Sequence, residues 1–159
     1  MTTIKSILVF ILFLPVFALG QVADNTNRHN EKNIYYQALV KCVSDSSGNT
    51  LSLKNDSIFI EKDSYITDSL LSGVGNIKFI QLSQPDIITY LRTRKKLKIY
   101  TIIPLSVEDG IFSITIIPFS VSYEKRKKMF HYINSGGFEV KFKYHDGKFI
   151  FTSLEVHGI

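Results

Sequence analysis

The chain has 159 residues, with 19 Lys plus Arg against 14 Asp plus Glu, a formal net charge of +5 and a single cysteine. That length suits one domain around one core. A lone cysteine excludes an internal disulfide framework, and so small a positive excess lacks the charge density of a typical nucleic-acid binder.

Residues 1–20, MTTIKSILVFILFLPVFALG, carry Lys5, an apolar run from Ile7 to Phe17 and the small residues Ala18 and Gly20. This order predicts a secretory signal peptide cleaved between Gly20 and Gln21. The apolar run is shorter than the roughly 20 residues that span a bilayer, and Pro15 interrupts the segment. Gln21 stands where a bacterial lipoprotein would need the cysteine that is acylated. Further on, Ile99 to Val121 is broken by Pro104, by Glu108-Asp109-Gly110 and by Pro118, so no transmembrane segment is expected after signal removal. The product is expected to be soluble, mildly basic, and periplasmic or secreted.

A disordered polar tail at residues 21–29 is expected to lead into a single domain over residues 30–159. Its first helix is predicted from Asn30 as N-cap through about Val43, because Ile34, Ala38 and Cys42 recur at four-residue steps opposite Lys32, Gln37 and Lys41. On that apolar stripe Cys42 reads as a buried thiol rather than a nucleophile. Ser57 to Glu61 (SIFIE) reads as a strand, Asp63 as the cap of a turn over Tyr65, Ile66, Leu70 and Leu71, and Ile77 to Leu82 (IKFIQL) as a second strand.

Ser83-Gln84-Pro85-Asp86 combines a hydroxyl cap, a proline in the first turn and an acid three residues after the cap, which together start a helix. Ile87, Ile88 and Leu91 form its apolar side, and it is expected to run out near Lys95 or Lys96. From Leu97 onward the pattern is β. Leu97 to Ser106 and Ile111 to Tyr123 flank Asp109-Gly110, a tight hairpin turn that would set Leu105 opposite Ile114 and Ile103 opposite Ile116. Both strands are apolar on both faces, which suits central positions, while Pro104 and Pro118 predict bulges or free edges.

A second hairpin is predicted from about Lys128 to Ile133 and from Phe138 to Tyr144, across Asn134-Ser135-Gly136-Gly137. A third turns at Asp146-Gly147 into Lys148 to Val156, and keeping Leu154 and Val156 on the core face requires a β-bulge near Thr152 or Ser153. The expected fold class is α+β, with N-terminal helices packed on a curved antiparallel β-meander of about five strands.

No arrangement in the sequence carries catalysis. His29, His131, His145 and His157 have no helical i, i+4 spacing, so no metal site is predicted, and no Gly-x-Ser-x-Gly nucleophile elbow is present. Gly73-Val74-Gly75 and Gly136-Gly137 read as turns rather than dinucleotide loops, so no cofactor is expected. Asn55-Asp56-Ser57 fits an asparagine glycosylation acceptor, and Asp56-Ser57-Ile58 and Asp68-Ser69-Leu70 fit a short O-glycosylation motif, which makes Asn55, Ser57 and Ser69 the candidate modification sites.

Two basic clusters remain: Arg92, Arg94, Lys95 and Lys96, which continue to Lys98, and Lys125, Arg126, Lys127 and Lys128. The first is explained by a helix end, where cations complement the dipole, and the second by a solvated loop between strands. The functional alternative is that both clusters face one anionic partner: a glycan, a lipid or an acidic protein, with no role for nucleic acid.

The signal peptide, the SxxDIITYL helix start, the IIPxSV…IIPFSVSY double-proline hairpin and the closing SGGFEVKFKYHDGKFIF resemble small exported proteins of unknown function of the Bacteroidota type. A weaker resemblance is to the cone-shaped α+β fold of the nuclear transport factor two superfamily, which implies a pocket between sheet and helices. This chain lacks the three long leading helices and the acid–histidine pair of that fold. The leading expectation is therefore a non-catalytic exported binding or interaction module. A small-ligand pocket protein or minor enzyme, with a cavity lined by Phe142, Phe151 and Tyr144, is one alternative. An inhibitor or immunity-type partner of a secreted enzyme is another.

Overall fold

The computed structural model describes residues 33–44, 57–63, 65–68, 70, 72–134 and 136–158. The signal peptide with its Gly20–Gln21 cleavage point, the tail at 21–29, Asn30, Asn55, Ser69 and Leu71 lie outside the described residues. Among those described, no helix is long and apolar enough to cross a membrane.

The fold is α+β. In chain order the elements are α1 (Ile34–Ser44), β1 (Ser57–Glu61), β2 (Gly73–Val74), β3 (Ile77–Leu82), α2 (Gln84–Thr93), β4 (Leu97–Ile102), β5 (Ser106–Glu108), β6 (Ile111–Glu124), β7 (Met129–Asn134), β8 (Gly137–His145) and β9 (Lys148–His157). All nine strands among the described residues join one sheet, ordered β2-β3-β1-β4-β6-β8-β9, with β5 and β7 also pairing with β6.

The expectation of a wholly antiparallel meander is corrected at β1. This strand inserts between β3 and β4 and runs parallel to both, so β3, α2 and β4 form a crossover that is split by an earlier strand. Local alternation in SIFIE specifies a strand with two faces but carries no information about the direction of its neighbours. The remainder, β4-β6-β8-β9, is antiparallel as expected.

Alternation then divides the apolar side chains between two faces. Ile58 and Ile60 of β1, Phe79 of β3, Tyr100 and Ile102 of β4, Ile114 and Ile116 of β6, and Phe138, Val140 and Phe142 of β8 pack with Ile34, Ala38, Leu39 and Cys42 of α1. On the other face, Leu82, Leu97, Ile99 and Val121 pack with Ile87 and Leu91 of α2. One helix thus covers each side of the sheet, and each supplies a single apolar stripe to a core of its own.

Both helix starts are built by local hydrogen bonding. Asn33 caps α1: its Oδ1 accepts from the backbone N–H of Tyr35 at 3.0 Å and of Tyr36 at 3.1 Å. At α2 the backbone N–H of Ser83 donates to Asp86 Oδ2 at 3.0 Å, and the Ser83 hydroxyl donates to the same oxygen. These bonds hold the Asp86 carboxyl below its ordinary value. Asp63 also acts as predicted, accepting from Tyr65 N–H at 2.8 Å.

The α2 helix ends at Thr93, before Lys95, and Arg94 is already extended at φ −129°, ψ 141°. Asp109 and Gly110 both have positive φ and make a two-residue turn, with Glu108 opposite Ile111. The register continues differently from the prediction: Ile102, not Ile103, pairs with Ile116, and Ile103 N–H donates to Thr115 O at 2.8 Å. One residue is absorbed between Ile103 and Leu105, at Pro104, which has no N–H to give a ladder. Pro118 falls between Ile116, the last residue paired with β8, and Phe119, the first paired with β7.

A second correction concerns Asn134 to Gly137. They do not close a hairpin. β7 and β8 both run along the same edge of β6, pairing with residues 119–124 and 111–116 respectively. They are one long strand with an irregularity between them, and the true hairpin turn is Lys125 to Lys128, where Lys128 has φ 53°. The predicted bulge in β9 is present, with Ser153 opposite Lys141, Phe151 opposite Phe142, and Thr152 the extra residue.

Candidate functional site: a cleft between α2 and the β6–β7 turn

The fold brings one residue of each basic cluster, Arg92 and Lys125, to the same cleft. Arg92 stands in the last turn of α2, which packs against β3, β4 and β6. Tyr123 sits near the end of β6 on the α2 side, its ring packed at 5.0 Å from that of Phe130, and Lys125 opens the turn immediately after this strand. Ile88, Leu91, Arg92, Tyr123 and Lys125 together line an open cleft of about 510 Å³. Such a volume lies within the range of about 300–1,000 Å³ usual for small-molecule sites.

The cleft is lined by apolar and by charged side chains in about equal measure. Ile88 and Leu91 are one turn apart on α2, and Tyr123 lines the same cleft from β6. Among the described residues, no carboxylate lies within 4.0 Å of the Arg92 or Lys125 charge, so neither is neutralised by an ion pair. Both cations are exposed and therefore screened by salt, so an anion that also covers the apolar lining gains more here than charge alone would give it.

The other predicted basic residues stand elsewhere. The Arg94 guanidinium stacks over the Tyr90 ring at 5.7 Å from its centroid. Lys95 and Lys96 lie in the exposed connection to β4, while Arg126, Lys127 and Lys128 form the exposed hairpin turn, where Lys127 pairs with Glu124 at 3.3 Å. Only Arg92 and Lys125 therefore converge on the cleft. The helix-dipole explanation of the first cluster applies to Arg92 alone, because Arg94 to Lys96 lie beyond the last turn.

Among the described residues, His131, His145 and His157 do not converge. His145 pairs with Lys148 and His157 with Gly137 in the β8–β9 ladder, which puts them at opposite ends of that hairpin. His131 approaches Glu124 at 3.3 Å on β7. Each makes an exposed contact with one carboxylate, the other two being His145 with Asp146 at 3.2 Å and His157 with Glu139 at 3.5 Å.

Two polar groups arise from pairings that the sequence did not reveal. Glu139, Glu155 and His157 bring ligand-type atoms within 4.8 Å of one another. The Lys141 ammonium donates to Glu155 at 2.6 Å and lies 3.5 Å from Glu139, so a cation already pairs with both carboxylates. Elsewhere Glu61 accepts from the Thr101 hydroxyl at 2.7 Å and the Tyr132 hydroxyl at 3.4 Å, and partial burial followed by the Glu61 charge pushes the Tyr132 hydroxyl above its ordinary value. A tyrosine shifted that way stays protonated at neutral pH and serves as a donor, not a base.

Of the residues expected to line a cavity, Phe142, Phe151 and Tyr144, only the first is buried. Phe142 is 0 % exposed, with the rings of Phe149 and Phe151 at 6.5 and 6.2 Å, and Tyr144 is more than half exposed. Ser57, the one candidate modification site among the described residues, is the first residue of β1, paired in register with Lys78.

Comparison with known proteins gives no relative to lean on: no family model, no curated protein and no solved structure matches this chain.

Proposed function

We propose that this protein is an exported, non-catalytic binding module, acting in the periplasm or outside the cell, and that its partner is anionic. The observation that carries the reading is the convergence of Arg92 and Lys125, from two clusters far apart in sequence, on one cleft with no compensating carboxylate among the described residues. Export is supported by the leader-like segment ahead of Gln21 and by the resemblance to small exported proteins. A binding role rather than catalysis is supported by the separation of His145 and His157 along the sheet and by the burial of Phe142.

The test is retention of the purified protein on heparin and on vesicles containing an anionic lipid. Replacing Lys125, Arg126, Lys127 and Lys128 with serine is expected to lower the salt needed for elution from both. These side chains lie in an exposed turn, so the substitution leaves the fold in place. Unchanged retention would count against the anionic-partner reading.

A further inference from the structure

We infer that the cleft between α2 and the β6–β7 turn takes a small amphipathic anion: a carboxylate or phosphate carried on an aliphatic body. The inference rests on the anionic-partner reading and narrows it from a charged surface to a built site.

Three features point to this chemistry. The lining formed by Ile88, Leu91 and Tyr123 offers apolar surface that a hydrophilic anion such as inorganic phosphate would leave uncovered, whereas an alkyl chain would cover it. The cleft also offers two cations without carboxylate partners among the described residues, which a neutral apolar molecule would leave unused. Finally, the Tyr123 hydroxyl makes no hydrogen bond to any described residue, so it is available to the polar end of a ligand.

The position of the anionic head follows from electrostatics. Arg92 lies in the last turn of α2, where the exposed carbonyls carry partial negative charge that repels an anion. Part of the Arg92 charge is spent against that helix end. Lys125 stands at the end of a strand, which has little dipole of its own, so the head group is drawn to Lys125 while the chain lies along Ile88 and Leu91. Chain length in the ligand is therefore read by the α2 side, and charge by the turn.

Titration calorimetry with decanoate, decyl phosphate, decanol and inorganic phosphate separates the contributions. Decanoate and decyl phosphate are expected to bind saturably, and decanol and inorganic phosphate at least about tenfold more weakly. Lys125→Gln is expected to weaken decanoate binding more than Arg92→Gln does. Ile88→Glu, which puts a like charge in the lining, is expected to abolish it, with circular dichroism checking that this half-buried position still folds. Equal affinity for inorganic phosphate and decanoate overturns the inference and leaves the anionic-partner reading intact. So does an absence of decanoate binding in a protein that still elutes late from heparin. Equal affinity for decanol and decanoate overturns the role given to Lys125. Loss of both decanoate binding and heparin retention overturns both readings.

Discussion

The irregularity between β7 and β8 decides where the basic turn falls, and substituting its glycine tests that directly. Gly136 has φ +107°, and a Cβ built there would stand 2.3 Å from the His157 carbonyl oxygen. Two costs therefore combine in Gly136→Ala. A left-handed backbone costs a residue with a Cβ about 1–2 kcal/mol. Relieving the clash means moving the end of β9, and overpacking of this kind costs about 1–3 kcal/mol.

Two neighbouring glycines separate these terms. Gly147 has φ +77° with nothing within 4 Å of the built Cβ, so Gly147→Ala carries the conformational cost of about 1–2 kcal/mol and no clash. Gly137 has no positive φ, and its nearest neighbour is the Ile116 oxygen at 3.7 Å, so Gly137→Ala is expected to lie within about 0.5 kcal/mol of the parent. Urea denaturation of the three variants is expected to rank them Gly136 worst, Gly147 intermediate and Gly137 near neutral, with Gly136→Ala down by about 3 kcal/mol or roughly 10 °C in melting temperature. A Gly136→Ala protein as stable as Gly137→Ala would refute the placement of this residue against β9. With it would go the description of β7 and β8 as one strand along β6.

Two further predictions concern side chains away from the cleft. Removing the α1 cap with Asn33→Ala is expected to destabilise the protein by about 1 kcal/mol in thermal or urea unfolding, because the N–H groups of Tyr35 and Tyr36 lose their shared acceptor. The Lys141–Glu155 hydrogen bond holds the Glu155 carboxyl below its ordinary 4.5 and the Lys141 ammonium above its ordinary 10.5. Stability from Glu155 is therefore fully present above about pH 4.5 and lost as pH falls through the lowered folded value, while that from Lys141 is present below about pH 10.5 and lost as pH rises through the raised one. Carboxyl-carbon NMR titration of Lys141→Met is expected to return Glu155 toward its ordinary value, and no change there would remove Lys141 as the cause.

What the sequence determined by itself was local. Ser83-Gln84-Pro85-Asp86 began a helix because its hydrogen bonds close within four residues, and Asp109-Gly110 and Asp146-Gly147 turned the chain because their own φ angles are positive. The bulge at Thr152 was also legible, since only an extra residue keeps Leu154 opposite Val140. Decisions between distant segments belonged to the tertiary structure. Alternation in Ser57–Glu61 specifies two faces but not a partner, so the parallel insertion of β1 between β3 and β4 depended on which neighbours offered matching apolar surface on both sides. Likewise Asn134 to Gly137 has the composition of a hairpin turn, yet β6 is long enough to hold both β7 and β8 on one edge. That choice moved the hairpin to Lys125–Lys128. The cleft depends on it, because Arg92 and Lys125 meet only once α2 and the end of β6 share a face of the sheet.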